Sequence, residues 1–141
     1  MTISARVHYA CLAMLELAIR REDKSPVAVR EITDRHGIPG PFLVQILRTL
    51  RAAGWVQSVR GSQGGYRLSV DPMKVTLLDI AEAVGGQEAG CQTDTKSTEA
   101  DRMLQVIWDD ASEASRNILS SARLGDLVER CRHGDETMFY I

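Results

Sequence analysis

Residues 29–69 read VREITDRHGIPGPFLVQILRTLRAAGWVQSVRGSQGGYRLS, and the placement of glycine and proline in this stretch decides the fold. Within this stretch, the earlier of two helices is predicted to end at Gly37, whose tolerance of positive φ suits a helix C-terminus. The next helix opens at Gly40 and Pro41, where proline costs no hydrogen bond, and closes at Gly54. Two helices joined by a short connection with glycine and proline predict a helix-turn-helix.

The second of these helices has two different faces. Apolar residues recur at helical spacing on the side that we expect to be buried, which consists of Leu43, Ile46, Leu47 and Leu50. The opposite side carries the hydrogen-bond donors that a helix in the DNA major groove needs for base edges and phosphates. The predicted DNA-binding residues of this helix are Pro41, Val44, Gln45, Arg48 and Arg51.

Two five-residue strand patterns follow directly, WVQSV at 55–59 and YRLSV at 66–70, and the connection between them contains RGSQGG. Its three glycines permit a tight hairpin and a close approach of the backbone to a ligand. They are Gly61, Gly64 and Gly65. Helix, helix and hairpin predict a winged helix-turn-helix, in which Arg60 would enter the minor groove, where the negative potential favours arginine.

The regions around this motif are predicted to be mainly helical. Residues 3–21 form an apolar first helix that Ser4 can cap, and Thr76 with Asp79 forms a capping box for a short helix that stops at Gly85. We therefore expect a mainly α fold with a small β-hairpin wing, followed by a long C-terminal helix.

The C-terminal part contains a polar loop and that long helix. Residues 87–100 lack helical or strand periodicity and include Cys91, whereas residues 101–121 form an amphipathic helix. Its apolar stripe needs a partner, and a second copy of the chain is the simplest one. The predicted dimer residues are Met103, Ile107, Ala111, Ala114 and Ile118.

Composition is consistent with one modest domain and excludes several classes of protein. The 141 residues include 17 Lys and Arg against 19 Asp and Glu, a net charge of −2. Residues 1–75 hold 11 basic and 6 acidic residues, a net of +5, while residues 76–141 hold 6 and 13, a net of −7. A basic first half suggests a polyanion-binding module. Without a membrane span, a leader or paired cysteines, the chain is expected to be cytoplasmic, with no disulfide framework.

Three segments resemble the bacterial winged-helix regulators related to IscR, NsrR and CymR, the Rrf-type regulators. They are MTISARVHYACLAMLELA at 1–18, residues 29–69 quoted above, and TLLDIAEAVGG at 76–86, and the wing AGWVQSVRGSQGGYRLS is the most specific piece. The resemblance resumes in IWDDASEASRNILSSARLGDLV at 107–128. The resemblance implies a homodimeric transcription factor, usually a repressor, whose long helix crosses onto the partner subunit. It also implies an effector site in the loop of Cys91, often an iron–sulfur cluster.

The sequence departs from the cluster-binding members of that family. Those members place three cysteines in the loop, whereas here Cys91 is the loop's single cysteine. The candidate metal ligands are Cys91 with His8 and His36, because the resemblance places a non-cysteine ligand at the position of His8, and mixed His/Cys sets suit iron or zinc. A cofactor-free protein that senses through the Cys91 thiol or a small ligand, and one with no effector, are the alternatives.

These patterns predict four regions: a winged helix-turn-helix DNA-binding domain at 1–86, a sensor loop at 87–100, a dimerisation helix region at 101–132 and a tail at 133–141. The predicted function is a homodimeric regulator that binds an inverted repeat in double-stranded DNA. The alternative is an adaptor or cofactor-assembly protein that uses the winged helix for protein contacts. No catalytic constellation is recognisable, so an enzyme is not expected.

Overall fold

The computed structural model of the chain describes residues 3–23, 25–85 and 94–139. Within these ranges the chain forms six helices and one antiparallel hairpin, which confirms the predicted fold class. The elements are α1 (Ala5–Ile19), α2 (Val29–His36), α3 (Gly40–Ala52), β1 (Val56–Val59), β2 (Gly65–Leu68), α4 (Leu77–Gly85), α5 (Glu99–Ser121) and α6 (Leu124–Phe139).

Helix α1 is the central element and packs against α2, α3, α4, α6 and β2. Its first turn is capped as predicted, since Ser4 Oγ accepts a hydrogen bond from the Val7 backbone N–H at 3.2 Å. Ala10, Ala13 and Met14 are fully buried, because apolar side chains occupy most of the circumference of the helix. The helix is two residues shorter at each end than the sequence predicts, and its burial on more than one side is confirmed.

Helices α2 and α3 form the helix-turn-helix. Gly37 ends α2 with a φ of 67°, and its N–H donates to Thr33 O at 2.8 Å. Pro41 lies in the first turn of α3, as predicted. The buried face of α3 also agrees with the sequence pattern, since its fully buried side chains are Leu43, Ile46, Leu47 and Leu50.

The wing is the hairpin of β1 and β2, with Val56 opposite Leu68 and Val59 opposite Gly65. The second strand therefore begins one residue earlier than predicted and ends at Leu68. Two backbone hydrogen bonds of 2.8 Å join Val27 to Tyr66, so that the segment before α2 extends the sheet by a single bridge. These bonds attach the wing to the helix-turn-helix.

Helix α4 begins with the predicted capping box and packs against α1, α3 and α5. Thr76 Oγ1 accepts from Asp79 N at 3.1 Å, and Asp79 Oδ2 accepts from Thr76 N at 2.9 Å. The helix ends at Gly85, as predicted.

Helices α5 and α6 divide the region predicted as one dimerisation segment at 101–132. A break at Ala122 separates them, and the backbone on both sides is bonded to the segment before α4: Leu77 N donates to Ala122 O at 2.9 Å, and Leu124 N donates to Val75 O at 2.8 Å. Leu124 is fully buried. Helix α6 is thus part of the same core as α1.

The final helix also extends further than the sequence indicates. Residues 133–141 are predicted to be a tail, but α6 continues to Phe139. The segment lacks a strong apolar stripe, and for this reason the sequence pattern did not predict a helix there. None of the described helices combines the length and apolar character needed to span a bilayer.

Candidate nucleic-acid interface

The outer face of α3 is polar and accessible. Pro41, Gln45, Arg48 and Arg51 are exposed and Val44 is half-buried, whereas the opposite face of the helix lies in the core. The structure therefore places all five predicted DNA-binding residues of this helix on its accessible side. A single helix fits the major groove of DNA, so this face of α3 can present its hydrogen-bond donors there.

The wing lies beside this face. Arg51 Nη1 donates to Ser58 Oγ on β1 at 3.3 Å, which joins the end of α3 to the hairpin. Arg60 is exposed at the point where the hairpin turns. Among the described residues, neither Arg48 nor Arg60 forms an ion pair with a carboxylate. Two exposed cations on adjacent elements are thus available to a polyanion.

The three wing glycines are explained by the fold of the wing itself. Gly61 has a φ of 117°, a conformation that side-chain-bearing residues rarely adopt. A Cβ on Gly64 would lie 2.2 Å from Val59 O, and a Cβ on Gly65 would lie 2.2 Å from Val27 O. The latter two glycines are therefore required by backbone packing, whatever the wing binds.

Arg6 is a residue at this interface that the sequence reading missed. From the first turn of α1, its Nε donates to Val84 O at 2.8 Å, at the end of α4. Its Nη1 donates to Gln45 Oε1 at 3.3 Å and its Nη2 donates to Thr49 Oγ1 at 3.4 Å, both on α3. A cation in the first turn of a helix opposes the helix dipole, and this placement was the available signal that Arg6 has other partners.

A buried carboxylate fixes α2 on α1. Glu16 is only 2% exposed, and its Oε1 lies 3.3 Å from Arg35 Nη1. Its Oε2 lies 3.8 Å from His36 Nε2, which is too long for a hydrogen bond, and that buried nitrogen has no hydrogen-bond partner among the described residues. A buried carboxylate requires a partner of opposite charge, and here that partner is the Arg35 guanidinium. Arg35 therefore stabilises the packing of the helix-turn-helix on the central helix α1.

The predicted metal ligands are not brought together in the part of the chain that is described. His8 is exposed near the start of α1, whereas His36 lies beside Glu16, which is eight residues or about 12 Å further along that helix. Cys91 lies outside the described residues. Within the described ranges, no three His, Cys, Asp or Glu side chains are grouped closely enough to hold a metal ion. The described residues of one chain therefore do not fit a metal ion that uses both imidazoles.

Cys11 is a packing residue. Burial in α1 raises the pKa of its thiol from 9.0 to about 11, so the neutral form prevails at neutral pH. A thiol in that state is a poor nucleophile and a poor metal ligand.

Helix α5 presents an apolar face that nothing in the described chain covers. None of its 23 residues is buried. The predicted dimer residues Met103, Ile107, Ala111, Ala114 and Ile118 are all exposed, and Leu104, Val106 and Trp108 are exposed with them. The helix is joined to the rest of the fold near its C-terminal end, where Arg116 Nη2 lies 3.0 Å from Glu82 Oε1 on α4.

Comparison with known proteins identifies the kind of protein to which this geometry belongs. A family model described as "Rrf2: Iron-dependent Transcriptional regulator" matches residues 3–130. The HTH-type transcriptional regulator IscR of Vibrio vulnificus is 34% identical over an alignment of 136 residues, which covers 91% of this chain and 77% of that protein.

Two solved structures have the same fold over most of their length. The IscR of T. potens superposes with a TM-score of 0.74 at 30% identity, covering 93% of this chain and 88% of the other. CymR, the global cysteine regulator of B. subtilis, superposes with a TM-score of 0.74 at 29% identity, covering 92% and 98%. The proteins named here are regulators and not enzymes, which confirms that expectation. The chain belongs to the Rrf2 family of helix-turn-helix transcriptional regulators.

Proposed function

We propose that the chain is a homodimeric repressor that binds an inverted-repeat operator in double-stranded DNA through α3 and the wing. The observation that carries this proposal is the pair of exposed cations on two adjacent elements, Arg48 on α3 and Arg60 at the wing turn. The hydrogen bond between Arg51 on α3 and Ser58 on β1 joins these two elements into one surface. The basic first half of the chain, with its net charge of +5, supports the same conclusion.

On this proposal α3 enters the major groove and the wing turn follows the adjacent minor groove. The major-groove contacts come from Pro41, Val44, Gln45, Arg48 and Arg51. Arg60 reads the narrow minor groove, while Gly61, Gly64 and Gly65 let the wing backbone approach the phosphates.

The apolar face of α5 pairs with the same face of a second copy. A homodimer with two-fold symmetry uses the same patch on both subunits, so one exposed stripe is sufficient for closure. The two copies of α3 are then related by the same axis, and the operator is expected to be an inverted repeat with half-sites about one helical turn apart, or a multiple of that distance.

Competition binding at fixed salt tests this proposal. The operator is first selected from a random duplex library with the full-length protein, and Arg60→Ala is then compared with Arg130→Ala, an exposed arginine on α6. Arg60→Ala should weaken operator binding more than random-duplex binding, and Arg130→Ala should change neither by much. A wild-type protein whose binding is sequence-blind and strongly salt-dependent would contradict the proposal and favour the adaptor function.

The repressor role has its own measurement. Run-off transcription from a template that carries the selected operator beside a promoter should fall when the protein is added. An increase would indicate an activator.

We further propose that the signal enters through the loop of Cys91, which follows α4. One form of the signal is a metal or iron–sulfur cluster held by Cys91 with His8 or His36; another is oxidation of the thiol or binding of a small ligand. The visible spectrum and metal content of protein purified without oxygen distinguish them, with Cys91→Ser as the comparison. Colour or metal that is lost in Cys91→Ser supports a cluster, and a colourless, metal-free wild type excludes it.

A further inference from the structure

Arg6 makes its contacts at the position where α3 is expected to read DNA. Its guanidinium spans three elements, since it lies on α1 and donates to Val84 O on α4 and to Gln45 and Thr49 on α3. Gln45 itself is exposed on the reading face. We propose that Arg6 is a specificity-determining positioning residue: it holds the Gln45 amide with its oxygen toward the protein and leaves its NH2 group to face the DNA bases. This inference rests on the proposed function.

The chemistry of the guanidinium determines which end of the amide it holds. Arginine carries five N–H donors and no acceptor, so the atom that meets Nη1 at 3.3 Å must be the amide oxygen of Gln45. If the amide were turned by 180°, two donors would face each other. The contact therefore excludes one of the two orientations that a free glutamine side chain would sample.

Two further bonds keep the guanidinium in place. Nε donates to Val84 O at 2.8 Å, which fixes the plane of the group at the end of α4. Nη2 donates to Thr49 Oγ1 at 3.4 Å. The same hydroxyl donates to the backbone carbonyl of Gln45 at 3.2 Å. Because the arginine fork is rigid, two anchored nitrogens determine the direction of the third. A lysine at this position carries the charge but cannot make the same three contacts.

The orientation of the amide has a consequence for base recognition. The NH2 group can donate to purine N7, guanine O6 or thymine O4 in the major groove. Adenine presents its N7 as the acceptor for this NH2 group. Cytosine presents its N4 donor to the NH2 group and is disfavoured. Arg6 thus acts through Gln45 to exclude cytosine without touching DNA itself.

The experiment measures base preference at one position of the operator. Gln45→Ala identifies the base pair in each half-site that Gln45 reads, and four duplexes then carry each base at that position. For Arg6→Ala, whose Gln45 amide can rotate, we expect the preference for adenine over cytosine to fall by about fivefold at that base pair and nowhere else. In the Gln45→Ala background the same change should add nothing to the preference.

Two other variants separate positioning from charge and from folding. Arg6→Lys retains the charge, so its salt dependence should match the wild type while its preference falls by about twofold. Gln45→Glu leaves Arg6 in place: one carboxylate oxygen replaces the amide oxygen at Arg6, and the other now accepts from cytosine N4. Its preference should change from adenine to cytosine, and adding Arg6→Ala should leave that change in place, because a carboxylate presents an oxygen to the base in either orientation.

The outcomes divide clearly. If Arg6→Ala lowers affinity equally for all four duplexes, or changes the preference at a base pair that Gln45→Ala does not affect, the inference is wrong. An unchanged adenine-to-cytosine ratio in Arg6→Ala, measured on an operator that the wild type selects, overturns this inference and leaves the proposed function standing. A wild-type protein that selects no operator overturns both.

Discussion

Replacing Gly65 with alanine should detach the wing from the helix-turn-helix. The added Cβ would lie 2.2 Å from Val27 O, 2.5 Å from Val27 C and 2.9 Å from Ala28 N, and all three are backbone atoms that no rotamer change can move. Ordinary contact begins near 3.4 Å, so the two backbones must separate by about 1.2 Å. That displacement stretches both 2.8 Å hydrogen bonds between Val27 and Tyr66 beyond hydrogen-bonding distance.

The expected cost follows from those two bonds. Each contributes about 1 kcal/mol net, and a backbone group that stays buried without a partner costs about 1–3 kcal/mol. We therefore expect Gly65→Ala to lower the free energy of unfolding by about 2–5 kcal/mol, measured by urea titration. Gly134→Ala is the control, because it lies inside α6 and no atom from elsewhere in the described chain lies within 4 Å of the added Cβ. It should be neutral or stabilise by about 0.4–1 kcal/mol.

Amide hydrogen exchange gives a local measurement of the same effect. Protection of the Val27 and Tyr66 amides should be lost in Gly65→Ala while the amides of α1 stay protected. Wild-type stability together with wild-type protection at these two amides would refute the argument, since the two backbones would then accommodate the added Cβ without separating.

Three further predictions concern the core, the dimer and the buried thiol. Leu124→Ala should lower the free energy of unfolding by about 2–5 kcal/mol in urea, because the side chain is fully buried; a loss below about 0.5 kcal/mol would show that α6 is not part of the core. Ile118→Asp should weaken self-association by about tenfold or more in sedimentation equilibrium, because it places a charge in the apolar face of α5, where Ile118 is 70% exposed in the single chain. Asn117→Asp is the control, because it adds the same charge beside that face and should have a smaller effect. Equal effects of the two variants would exclude the α5 interface. In a Cys91→Ser, Cys131→Ser background, Cys11 should have about 100-fold less thiolate at pH 8 than an unperturbed thiol, so alkylation should be far slower in the folded protein than in the unfolded protein. Its contribution to the free energy of unfolding should be constant below pH 9 and should decline as the pH rises from 9.0 to about 11. Fast alkylation of the folded protein would contradict the burial of this thiol.

The parts of the fold that depend on local signals could be predicted from the sequence. Gly37 and Pro41 mark the ends of α2 and α3 because each acts through its own backbone conformation. The capping box of Thr76 and Asp79 is equally local. The start of β2 at Gly65 was missed because glycine is depleted in strands, and its place in the strand comes from its pairing with Val59.

The parts of the candidate site that depend on distant partners could not be predicted. The role of Arg6 depends on atoms from α3 and α4, and no spacing within one helix indicates them. In the same way, the position of His36 beside Glu16 requires α2 to be packed on α1. The end of α5 at Ser121 agrees with the sequence pattern, but the return of the chain to the core depends on the bond of Leu124 to Val75, which no spacing along the helix indicates.

Helix α5 is attached to the rest of the fold near its C-terminal end, so a change in its angle displaces its N-terminal end the most. Its C-terminal end is held by the hydrogen bond from Leu77 N to Ala122 O and by the ion pair of Arg116 with Glu82, while the apolar residues from Met103 to Trp108 lie toward the other end of the helix. In a dimer that pairs through α5, a small change in the angle between the two helices would be converted into a change in the distance between the two copies of α3. The number of base pairs between half-sites would then report that angle directly, and a ligand that altered the angle would select a different spacing of operator.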